Sequence, residues 1–141
     1  MFASPHSNMR SIAGLYQDVQ VDTGVGAASP HRLIEMLFEE FIASCARARG
    51  AIRARDIQEK GRAIGRAVRI IEEGLRGGLN MKDGGDLARV LQDLYAYIAV
   101  RLTHANLHSD DAAIAECVAL VQPIYDAWRA IAPRVNEPGA H

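Results

Sequence analysis

Between Asp86 and Leu107 the chain carries more apolar residues than one buried helix face can use, and neither Gly nor Pro interrupts them. Leu87, Leu91, Leu94, Ile98, Leu102 and Ala105 recur at steps of three and four, which sets them along one side of an α-helix. Val90, Tyr97 and Val100 fall off that side, and Tyr95 sits at its edge. A helix with a single core face has no use for the second set. The spacing predicts a helix that meets a core on one side and something else on another.

The remaining segments read as helices of the same kind. Ser29-Pro30 opens one, since Ser caps well and Pro is tolerated at the first helical position. Its stripe is Leu33, Leu37, Phe41, Cys45, Ala48 and Ile52, with Ile34, Met36, Phe38 and Ile42 on neighbouring faces. Asp56 through Glu59 has the form of a capping box and starts the next. That helix carries Ile57, Ile64, Val68, Ile71 and Leu75, and its Gly61, Gly65 and Gly74 suggest close helix approach. Gly77-Gly78 stops it. Asp83, or a residue just after it in the Gly84-Gly85 turn, is expected to cap the Asp86–Leu107 helix. Asp110-Asp111 opens the last helix, whose stripe is Ile114, Val118, Val121, Tyr125, Trp128 and Ala132. Pro123 inside it predicts a kink or a break.

No segment alternates with period two, so no strands are predicted. The fold class expected is all-α, an antiparallel up-down-up-down four-helix bundle with a short mobile N-terminal helix. That short helix carries Met9, Ile12, Tyr16 and Val19 and hangs on a joint at Gly24 and Gly26. The expected division is a flexible segment over 1–27, a bundle over 28–133 and a tail over 134–141.

The chain of 141 residues has a formal net charge of −1, so no global field recruits nucleic acid or a membrane. No apolar run approaches 18 residues, and no membrane insertion is expected. Cys45 and Cys117 match no metal or redox spacing and read as buried thiols. His104 and His108 have the i, i+4 spacing of a metal pair, but no third ligand accompanies them, so two surface histidines are expected and no metal. No nucleophile elbow or phosphate loop is present, and neither catalysis nor a cofactor is predicted. Arg47, Arg49, Arg53, Arg55, Lys60, Arg62, Arg66 and Arg69 cluster against only Asp56 and Glu59. A solvated face is the first reading of that cluster, and an acidic protein partner the second.

The order of motifs resembles the FliS family, the cytosolic export chaperones of bacterial flagellin. The matching stretches are Ala28-Ser29-Pro30 with Leu33 to Leu37, Lys60 to Leu79, Gly84 to Leu87, Leu94 to Tyr97, Arg101 to Leu107, and Ala127-Trp128. Two departures stand out: Phe38-Glu39-Glu40 replaces a frequent Tyr-Asp-Gly, and Gly-Val-Gly-Ala lengthens the joint before Ala28-Ser29-Pro30. The resemblance implies a cytoplasmic four-helix bundle that binds the disordered C-terminal segment of flagellin, blocks its premature polymerisation and presents it to the export gate.

On that reading a groove beside the Asp86–Leu107 helix holds the partner. Tyr95, Leu102, Ala105 and Asn106 are expected to line it, with Ile64, Ile71 and Leu75 as the other wall and Tyr16 as an N-terminal contact. The protein is expected to be a monomer or weak homodimer. A self-associating structural or adaptor bundle is the alternative use of the same surplus apolar faces.

Overall fold

The computed structural model describes residues 28–131, which form four helices and their connections. Helix α1 is Pro30–Ala54, α2 is Ile57–Arg69 continued by a π-helical segment Ile70–Arg76, α3 is Gly85–His108 and α4 is Asp111–Ala130. The expected N-terminal helix with Met9, Ile12, Tyr16 and Val19, its Gly24/Gly26 joint and the tail over 134–141 lie outside the described residues.

Three helix starts follow from local capping chemistry. Ser29 Oγ accepts the amide of Arg32 at 3.1 Å, Asp56 Oδ1 that of Glu59 at 3.1 Å, and Asp110 Oδ1 that of Ala113 at 3.2 Å. Helix α3 begins differently. Asp83 gives it no cap; its own amide donates to Asn80 Oδ1 at 3.1 Å, and Gly84 occupies the cap position without a side chain. Gly85 holds φ +58, a left-handed conformation that an L side chain resists. Pro123 does not divide α4, which runs unbroken through it.

Cross-helix contacts fix the direction of each helix. Arg66 on α2 reaches Glu40 on α1, and Cys117 on α4 lies against Ile98 on α3. Arg49 near the end of α1 meets Asp111 at the start of α4, while Trp128 near the end of α4 donates to the carbonyl of His31 at the start of α1. Each helix is antiparallel to its neighbours, the first packs against the last, and α1 and α3 lie diagonally across the core. The up-down-up-down bundle is thus the observed architecture.

The core between them is apolar. Leu37, Phe41, Ile64, Ile71, Ile98, Leu102, Ile114 and Val121 are all buried in it. Burial pushes the Cys45 thiol up to about 12 and the Cys117 thiol up to about 11, so both stay protonated. Trp128 and Tyr125 pack at its edge, half-buried. The Trp128 ring stacks on His31 with centroids 4.4 Å apart. The Phe38-Glu39-Glu40 departure has a visible use: Glu39 accepts from Tyr125 Oη at 2.9 Å, and Glu40 accepts from both Arg47 and Arg66.

Candidate partner-binding surface

The outer face of α3 exposes Leu87, Val90, Tyr97, Val100 and Leu107. Three of these, Val90, Tyr97 and Val100, are the off-stripe set that the sequence marks as surplus. Val100 is 67% exposed although it lies between the buried Ala99 and the half-buried Arg101. Large apolar side chains gathered on one exposed helix face mark a contact surface more often than chance does.

Beside this face runs a groove of about 400 Å3 between α3 and the second half of α2 with its π-helical extension. Val68, Ala96, Ala99 and Val100 give it an apolar lining, and Thr103 adds a hydroxyl already bonded to the Ala99 carbonyl at 2.9 Å. Glu72 and Arg76 close one side as an ion pair at 3.0 Å. The π-helical segment contributes two polar groups to this groove. In it Ile70, Ile71, Gly74 and Leu75 are buried, while Glu72 and Arg76 stand at the rim.

On its other flank α3 is held to α4. Glu116 accepts from Tyr97 Oη at 2.6 Å and from Arg101 Nε at 2.9 Å. Those two hydrogen bonds, the tyrosine's first, hold the Glu116 carboxyl below the usual glutamate range. Tyr97 is thereby fixed with its ring still accessible. A second, smaller apolar cleft of about 160 Å3 opens at the other end of the bundle, lined by Ile34, Leu75, Leu91, Tyr95, Ile124 and Trp128 among others.

Residues chosen from the sequence to line an open groove fall mostly elsewhere. Ile64, Ile71, Leu75, Tyr95, Leu102 and Ala105 are all buried core side chains. Of these, Leu75 and Tyr95 border the smaller cleft, and burial pushes the Tyr95 phenol up to about 12. Asn106 is exposed next to Leu107, and Tyr16 lies outside the described residues. Leu87, assigned from spacing to the core stripe, is exposed, whereas Tyr95, assigned to its edge, is buried. The rest of the expected stripe faces the core: Ile98, Leu102 and Ala105 are buried and Leu91 and Leu94 pack against it, while Leu87 stands exposed in the first turn of α3.

His104 and His108 lie with ring centroids 4.5 Å apart, and His104 Nε2 is 3.3 Å from Asp110. Among the described residues no group of three or more His, Cys, Asp or Glu is placed to hold a metal ion, and no helix is long and apolar enough to cross a membrane.

A family model described as "Flagellar protein FliS" matches residues 12–135. The chain is 41% identical over 121 residues to the flagellar secretion chaperone FliS of Salmonella typhimurium, covering 86% of this chain and 90% of the relative. It is 40% identical to the flagellar secretion chaperone FliSB of Pseudomonas aeruginosa, over 82% of this chain and 91% of the relative. It is 34% identical to the FliS chaperone of Vibrio cholerae, over 91% and 93%.

Proposed function

The chain belongs to the FliS family, and from that premise we propose that it is a non-enzymatic export chaperone for flagellin in the cytoplasm. The observation that carries this reading is the exposed apolar face of α3 beside an apolar groove. An amphipathic helix recognises such a surface by laying its apolar side into the groove. The proposed ligand is the C-terminal segment of flagellin, disordered when free. A disordered segment must lose its conformational freedom on binding, and a contact rich in apolar area offsets that loss. While it is held, the apolar side that would join other flagellin copies is covered, and polymerisation is prevented. Delivery to the export gate follows from release there.

In this reading Val100, Tyr97, Val90 and Leu107 make the contact and Val68 forms the opposing wall. Asn106 offers its amide to partner backbone, and Tyr16 is the N-terminal contact. Ile64, Ile71, Leu75, Tyr95, Leu102 and Ala105 act from beneath, as the packed floor that keeps the groove's shape.

The test is calorimetric titration with a synthetic flagellin C-terminal segment. Val100→Asp places a charge where apolar area is buried and should weaken binding tenfold or more, with an unchanged circular dichroism spectrum. Arg53→Glu should change it far less, because an exposed charge pair contributes only about 0–1 kcal/mol. Normal binding by Val100→Asp together with loss in Arg53→Glu would sink the assignment. Sedimentation of the unliganded protein separates the alternative: if the α3 face closed a homodimer, Val100→Asp would convert a dimer to a monomer.

A further inference from the structure

The basic residues around the α1–α2 turn divide into two kinds. Most meet an acid: Arg49 meets Asp111, Arg47 and Arg66 meet Glu40, Arg62 meets Glu59, and Arg69 meets Glu73. Arg53, Arg55 and Lys60 form no ion pair with the described residues, and the last two line one cleft of about 350 Å3 at that end of the bundle. Ile52 and Ile57 give the cleft an apolar lining, and Asp56 and Ser109 complete its polar part.

Lys60 is the unusual member. It is only 7% exposed, and its Nζ donates to the neutral Ser109 Oγ at 2.7 Å. A lysine this buried ordinarily has a counter-charge, because one neutral hydrogen bond does not recover the hydration lost by the ammonium. Asp56 does not provide one. Its carboxylate accepts the Glu59 amide at 3.1 Å and makes no ion pair with Lys60. Among the described residues the other two ammonium donors have no partner. Beside this cation stands Ile57, 75% exposed in the first turn of α2 and outside the core formed by the described residues.

We propose that this cleft is a second binding site, for an acidic peptide segment of a partner protein. An Asp or Glu side chain meets the Lys60 ammonium, with Arg55 adding a second positive charge, and a neighbouring apolar side chain covers Ile52 and Ile57. The volume lies in the range of sites that enclose a small group. A carboxylate fits the donors better than phosphate does: it needs few, and the Asp56 charge in the same cleft repels a dianion. No aromatic side chain lines the cleft, so bases have nothing to stack on. The cleft shares no lining residue with the α3 groove, and the inference stands apart from the flagellin assignment.

The probe is a fluorescein-labelled hexapeptide of alternating leucine and aspartate, capped at both ends and titrated into the full chain with anisotropy as the readout. Saturable binding is expected, weakened tenfold or more by Lys60→Met and by Ile57→Asp and left unchanged by Arg62→Gln. The same peptide with alanine in place of leucine should bind several-fold more weakly. Should Lys60→Met not fold by circular dichroism, Ile57→Asp decides alone, since its side chain is mostly in solvent. The proposal is overturned if no binding saturates, if Ile57→Asp binds as the parent does, or if Arg62→Gln loses as much. Displacement of the peptide by equimolar pyrophosphate or a short single-stranded DNA would overturn it as well, assigning the cleft to phosphate.

Discussion

Leu102 and Val100 are two positions apart on α3 and serve opposite ends. Leu102 is fully buried, and truncating it removes contacts that the packed bundle cannot refill. Leu102→Ala should lower stability by about 2–5 kcal/mol in urea unfolding. Val100→Ala should change it by less than about 0.5 kcal/mol, the range for surface positions, while reducing partner affinity. Similar losses of stability for the two would place Val100 in the core. The sequence distinguishes these residues only in part. Steps of three and four identify which side chains share a face, and they separate Val100 from Leu102 correctly. They do not say which face turns inward when apolar residues cover more than half the circumference. That choice belongs to the neighbouring helices, and it is why Tyr95 is buried; Leu87 is exposed because it lies in the first turn of α3.

At the scale of elements, helix starts were legible where a side chain caps its own helix, since capping involves residues three apart. Ser29, Asp56 and Asp110 all read correctly for that reason. The start of α3 was not, because there the cap is backbone conformation rather than side chain. The winding of Ile70–Arg76 left no mark in the sequence pattern either. Glycine in α2 misled in a different way: a Cβ added at Gly61 or Gly65 meets nothing within 4 Å, so neither lets another helix come close. Gly65→Ala should therefore stabilise α2, by about 0.5–1 kcal/mol from helix propensity alone. Gly85→Ala should act the other way, by about 1–2 kcal/mol, because φ +58 forces a side chain into left-handed space. Thermal unfolding of the two single variants checks both signs. Equal shifts in the same direction would remove the conformational explanation.

Across the whole molecule, ion pairs join helices that the core already holds. Arg49–Asp111 ties α1 to α4, and Arg101–Glu116 ties α3 to α4. The carboxyls of Asp111 and Glu116 are both held below their ordinary values of 3.8 and 4.5, the first by the Arg49 hydrogen bond and the second by Tyr97 and then Arg101. A carboxyl whose folded pKa is depressed stabilises the fold above its unfolded value and loses that contribution as the pH falls through the folded one. The bundle should thus weaken in acid. Arg49→Met combined with Arg101→Met should lower the urea midpoint at neutral pH, with the gap to the parent closing below about pH 3 as the carboxyls protonate. A gap independent of pH would mean that these arginines act through packing of their stems. The bundle itself was readable from four periodic segments and short turns; the surplus of apolar side chains on α3 was readable too, but not which of them stay exposed. One further consequence is temporal. The ring of helices closes only when α4 meets α1, and the hydrogen bond from Trp128 to His31 joins residues 97 positions apart. During synthesis the inner side of α1, with Leu37 and Phe41, is covered first by α2 and stays open on its other side until α4 arrives.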